Sequence, residues 1–78
     1  MIVDPRGMRD VREWADFIML PLDQFGVTPR RLDNPDNWKD WAFDLMQAAR
    51  LESFDVADPR GFDDWVDWAS RFNQVVPY

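Results

Sequence analysis

Met8, Val11, Ala15, Ile18, Leu22 and Phe25 recur in steps of three, four, three, four and three. That spacing gathers them on one stripe of an α-helix and would scatter them over both faces of a strand. Asp4 ahead of Pro5 reads as an N-cap followed by a proline in the first turn, where no N–H is required. The pattern therefore predicts a first helix over about 5–25, with a kink or a break near Met19 to Leu20 forced by Pro21 and a last turn closed at Gly26. Val3, just before the cap, is placed to staple onto Met8. Trp38, Ala42, Leu45 and Ala49 continue the same rhythm behind Asp33 or Asn34 and Pro35. They predict a second helix over about 35–51, fraying near Leu51 to Ser53. Phe62, Trp65, Ala69, Phe72 and Val76, behind Asp58 and Pro59, predict a third over about 59–75, stopped by Pro77 and followed by a short extended tail. A second apolar line (Trp14 and Phe17, Trp41 and Ala48, Val66 and Trp68) widens each stripe into the arc expected of a helix that touches two neighbours.

The rhythm is also an internal repeat. Glu13-Trp14-Ala15, Asp40-Trp41-Ala42 and Asp67-Trp68-Ala69 stand 27 residues apart. Asp4-Pro5-Arg6-Gly7 and Asp10 return as Asp58-Pro59-Arg60-Gly61 and Asp64 at twice that interval, while the middle copy has degenerated to Asp33-Asn34-Pro35. The expectation is an all-α fold: one domain over 1–78, a small three-helix bundle of three helix-plus-connector units with proline-started helices.

Composition narrows the chemistry. With 78 residues and neither Cys nor His, the chain has no disulfide and none of the usual zinc sites. Its core must come from aromatic packing, for which it carries five Trp and six Phe. Thirteen Asp and two Glu against eight Arg and one Lys give a net charge of −6. No basic stripe is left to displace phosphate counterions, which argues against direct nucleic-acid binding and against anionic membranes. The longest apolar run, Phe17 to Leu22, contains Pro21 and falls far short of the ~20 residues a membrane span needs. Met1 to Asp4 lacks the features of a secretion signal, so the chain is expected to be soluble and unprocessed.

The acidic pairs Asp36 and Asp40, Asp40 and Asp44, and Asp63 and Asp67 stand one helical turn apart, near enough to share a divalent cation or act as paired carboxylates. No third ligand accompanies them, and a solvated face outweighs a metal-dependent hydrolase. Asp33 to Asn37 has the composition of a calcium loop without its glycine or its closing Glu. Thr28, Ser53, Ser70 and Tyr78 have no His to activate them, and Gly7, Gly26 and Gly61 form no phosphate loop. The expectation is a protein without catalytic residues, cofactor or metal.

Partner contacts are the remaining chemistry. Arg6 and Arg60, near helix starts, are suited to gripping a carboxylate in bidentate fashion, although solvated first-turn residues are the favoured account of them. Arg30 and Arg31 form the only adjacent basic pair. Trp14, Trp41 and Trp68 are candidates for core or for docking anchors, since a bundle of this length buries about three indoles well and leaves one or two near the surface. Val76 and Tyr78 lie in a tail suited to a partner's groove, and Met1 to Val3 is similarly apolar.

Shortness, the absence of Cys and His, and the repeated Asp-Pro and Trp-Ala segments together resemble the small accessory structural proteins of tailed phages. The resemblance implies a minor particle component that binds capsid or tail subunits, and a location in the virion, or in the cytoplasm if the source is not a phage. It carries no site residues across. The leading expectation is a non-enzymatic protein that stabilises or bridges larger subunits. The alternative is an acidic DNA mimic that occupies a basic groove on another protein, with Asp36, Asp40, Asp44, Asp63, Asp64 and Asp67 lined up on one surface.

Overall fold

In a computed structural model that describes residues 3–78, the chain is all-helical, and no strand occurs among the described residues. Its α-helices are α1 (Val11–Asp23), α2 (Trp38–Leu51) and α3 (Trp65–Val75). Their first residues are 27 apart, so the repeat seen in the sequence is a repeat of structure. Met1 and Ile2, part of the expected apolar N-terminus, lie outside the described residues.

Two helices begin later than the proline rule predicts. Asp4 and Asp58 do accept from backbone amides, of Arg6 at 3.0 Å and Arg60 at 2.9 Å, but what they cap is a single 3₁₀ turn, Pro5–Gly7 and Pro59–Gly61. The chain then extends through Met8 and Phe62, and α1 and α3 start behind a second cap. There Asp10 accepts from the Glu13 N–H and Asp64 from the Val66 N–H, both at 3.1 Å. The cause is local. Gly7 and Gly61 are poor helix formers at the third position of the expected helix, and a competing aspartate follows three residues later. The middle unit has no glycine there, and its 3₁₀ turn Pro35–Asn37 runs directly into α2.

Pro21 does not break α1, which continues to Asp23. The carbonyl that loses its donor is that of Phe17, a residue 49% exposed on the outer side of the helix, where the missing bond costs least. The helix closes at Gly26, whose φ of 75° lets its N–H reach the Asp23 carbonyl at 3.1 Å while Val27 reaches Leu22 at 3.2 Å. The same closure recurs 27 residues on. Ser53, at a φ of 71°, donates to Arg50 and Phe54 donates to Ala49, both at 3.0 Å. Phe25 and Phe54 then meet edge to face across the two closures, 5.7 Å apart.

Each unit sends the same positions inward. Trp14, Trp41 and Trp68; Ala15, Ala42 and Ala69; Ile18, Leu45 and Phe72; and Leu22, Ala49 and Val76 are all buried. Pro5, Leu32 and Pro59, one per connector, are buried as well. The three indoles meet at the centre with centroids 6.1, 5.9 and 6.4 Å apart and planes inclined at 81°, 89° and 77°. Near-equal distances with near-perpendicular planes are what a pseudo-threefold axis through the triad produces. The connectors follow suit, since Pro59–Gly61 packs on α2 and Pro5–Gly7 packs on α3, which closes the units into a ring. The outcome is nearly isotropic, 26 × 24 × 22 Å. Burying each indole contributes at most about 4–6 kcal/mol, from ~150–250 Å² at ~25 cal/mol/Å².

Candidate interaction surface

Most of the predicted anchors are inside. Trp14, Trp41 and Trp68 are at most 2% exposed, and Trp38 and Trp65, half-buried, stack against them. The indole most available for docking is therefore not among the three marked by the repeat. Val76 and Tyr78 are likewise buried, because the tail folds back onto its own chain rather than extending away from it. The Tyr78 hydroxyl donates to Asn73 Oδ1 at 2.6 Å and accepts from the Val3 N–H at 3.4 Å, while Asn73 Nδ2 donates to the Val3 carbonyl at 2.8 Å. This clasp ties the two ends together.

The clasp has a consequence at the core. Trp41 Nε1 donates to the Arg30 carbonyl at 2.6 Å and Trp68 Nε1 to the Ala57 carbonyl at 2.9 Å, each eleven residues upstream. The equivalent carbonyl for Trp14 is that of Val3, which accepts from Asn73, and Trp14 Nε1 has no hydrogen-bond partner among the described residues. The Tyr78 hydroxyl lies near enough for this N–H to favour its ionisation, but the two do not meet in hydrogen-bond geometry. Burial dominates and raises the Tyr78 pKa.

Of the four arginines, Arg6 is clamped on Asp4 at 3.1 Å and Arg31 on Asp33 at 3.5 Å, both at exposed positions. Arg30 pairs with Asp44 at 2.9 Å while its carbonyl receives the Trp41 indole. Arg60 differs. Its Nε and Nη2 hold Asp58 at 3.1 and 2.7 Å, and its guanidinium lies 4.6 Å from the centre of the Phe43 ring on α2. Hydrogen bonds from the Arg60 side chain, then from its backbone N–H, depress the Asp58 pKa to about 2.

Arg60 forms one wall of a groove of about 610 Å³, between α2 and the 3₁₀ turn Pro59–Gly61. Phe43, Met46 and Leu51 supply its apolar lining, and Arg50 stands opposite with Nε and Nη2 both on the Val56 carbonyl, at 3.2 and 2.9 Å. Leu51, 86% exposed, adds accessible aliphatic surface at the edge of this groove. The composition of the groove follows from where the repeat fails. Phe43 stands where the other units have Asp16 and Ser70, and Arg50 where they have Asp23 and Pro77. These departures were visible in the aligned units, although periodicity by itself does not single them out.

Among the described residues no three His, Cys, Asp or Glu side chains group closely enough to hold a metal ion. Asp40 and Asp67 occupy equivalent, exposed positions of successive units and so look outward in different directions. Asp44 is engaged by Arg30 and Asp64 by the start of α3. No helix of the described residues is long and apolar enough to cross a membrane. No known protein family, curated protein or solved structure matches the chain.

Proposed function

We propose that this chain is a non-enzymatic assembly protein that docks on larger subunits and bridges them, in the manner of the minor structural components of tailed-phage particles. The observation that carries the reading is the groove. It combines an apolar lining with two guanidiniums already oriented by their own hydrogen bonds, on a side of the molecule where Met46 also belongs to the core and Leu51 stays exposed. Preoriented arginine beside exposed aliphatic and aromatic surface is the composition of a protein-docking site, where little side-chain entropy remains to be lost on binding. A second apolar area supports bridging. Phe17 and Leu20, 49% and 81% exposed, form a patch on the outer side of α1, in a different unit from the groove. Two separate areas allow one molecule to hold two neighbours.

Mass spectrometry of particles purified from the source, with the chain traced by affinity capture, tests this reading. The expected result is the chain at fixed stoichiometry, released by Leu51→Glu, a change at an exposed position that leaves the helical fold intact by circular dichroism. Absence from particles, together with capture that Leu51→Glu does not alter, would remove it.

A further inference from the structure

The docking reading leaves open what fills the groove, and the surface of the same chain supplies a match. Resting on that reading, we infer that the groove receives the outer face of α1 from a second copy of this chain, so that copies associate head to tail. The groove suits an apolar knob accompanied by a carboxylate: Arg60 already holds Asp58 within the groove, whereas Arg50 forms no ion pair among the described residues. Arg50 and Arg60 each spend Nε and Nη2 on their own chain and keep Nη1 without a hydrogen bond among the described residues. The outer face of α1 has that composition. Leu20 and Phe17 project from it, with Asp16 and Asp23 four residues before and three after Leu20, and Glu13 four before Phe17. These spacings place the carboxylates around the apolar pair on one helical surface. Asp16 and Asp23 form no ion pair among the described residues, and Glu13 has only a 3.9 Å contact from Arg9.

Both areas depart from the repeat. Leu20 stands where the other units have Gln47 and Gln74, and Phe17 where they have Asp44 and Arg71. Nothing in the shared core requires Phe and Leu there. Because groove and patch are different surfaces on different units, the contact is heterologous and each copy keeps one of each free, which builds a ring or a linear array rather than a twofold dimer. A contact of this kind is small. A standard interface takes ~800 Å² from each partner, about a sixth of the 4836 Å² this chain exposes, and one helix face covers less than that. A net charge of −6 on each copy opposes approach over distances up to the Debye length, ~8 Å at physiological salt. The association should therefore be weak, with a Kd on the order of 10–100 µM.

Sedimentation velocity over a concentration series reaching well above that range tests the inference with two variants at exposed positions, Leu51→Glu in the groove and Phe17→Ser with Leu20→Ser on α1. The wild-type mass should rise with concentration beyond that of two copies, and each variant alone should stay monomeric. Mixed in equal amounts, the variants should form a species of twice the monomer mass that does not grow further, since one brings an intact patch and the other an intact groove. A wild-type chain that stays monomeric, variants that still associate alone, or a mixture that stays monomeric would each overturn it. If particle capture is nevertheless lost in Leu51→Glu, the docking reading survives and only the occupant is wrong. If capture is unaffected while the mixture dimerises, the reverse holds.

Discussion

Replacing Trp14 by Phe should cost this protein less than replacing Trp68 by Phe, although both indoles are fully buried and each touches four aromatic rings. The smaller ring leaves a comparable void at either position, on the order of 2–3 kcal/mol. The N–H separates them. At Trp68 the substitution removes a 2.9 Å bond to the Ala57 carbonyl, a net loss of about 1 kcal/mol, because that carbonyl is part-buried and regains water. At Trp14 no bond is lost, and a buried donor without a partner disappears, which returns about 1–3 kcal/mol. The difference is about 2–4 kcal/mol in favour of the Trp14 variant, equivalent to roughly 8–32 °C in Tm for a domain of this size. Urea titrations followed by far-ultraviolet circular dichroism measure it, since fluorescence would report the substituted rings themselves. Equal m-values would confirm that the comparison concerns the native state. Should Trp68→Phe be too unstable, Trp41→Phe offers the same test, with a 2.6 Å bond to Arg30 and 2% exposure. A Trp14 variant as unstable as either of the others would refute the claim that its N–H is unsatisfied, and with it the account of the clasp.

Asp58 should titrate near 2 by carboxyl carbon NMR, and Arg60→Gln should return it toward 3.8. Because its folded pKa is depressed, its contribution is complete above about pH 4 and disappears as pH falls through 2; a wild-type midpoint near 3.8 would contradict the Arg60 geometry. Ser53→Gly should stabilise the protein by about 1 kcal/mol in urea, since Ser53 holds a φ of 71° that glycine adopts without the steric cost of a Cβ. Tyr78→Phe should cost about 1–2 kcal/mol by removing the hydroxyl that joins Val3 to Asn73. The wild type should also lose stability as pH rises above about 10, because burial favours the neutral phenol, and that alkaline loss should be smaller in the Phe variant.

The helices and their spacing were legible because both come from local, repeated signals. Apolar steps of three and four admit no strand, and a 27-residue recurrence of Trp-Ala marks equivalent turns. α1 starts later than Pro5 suggests for a reason also present in the sequence. Asp10 and Asp64 recur as faithfully as Asp4 and Asp58, and two caps six residues apart indicate a separate turn before the helix. The clasp was not legible. Val3 and Tyr78 are 75 residues apart, and no local pattern reveals that a tail ending in Pro-Tyr turns inward.

Closing three similar units into a ring also explains why the first indole is the one without a partner. Each indole bonds to the carbonyl eleven residues before it, at the point where a unit joins its predecessor. For units two and three that junction is continuous chain. For unit one the predecessor is unit three, reached only through space, so the junction must be made by side chains, and Asn73 with Tyr78 makes it at the Val3 carbonyl, the position equivalent to the acceptors of Trp41 and Trp68. One buried donor thus goes unsatisfied while two ends are fastened, an exchange that restrains both termini through a bond network no single unit contains. The same logic separates fold from function on the surface. Positions that all units share are accounted for by the triad and its caps, whereas Phe17, Leu20 and Leu51 are exposed and replace polar or unrelated residues of the other units, and Phe43 and Arg50, though they also pack on their own chain, occur in one unit alone. Surface that is apolar, oriented and peculiar to one unit is where the protein's contacts with other molecules should be sought.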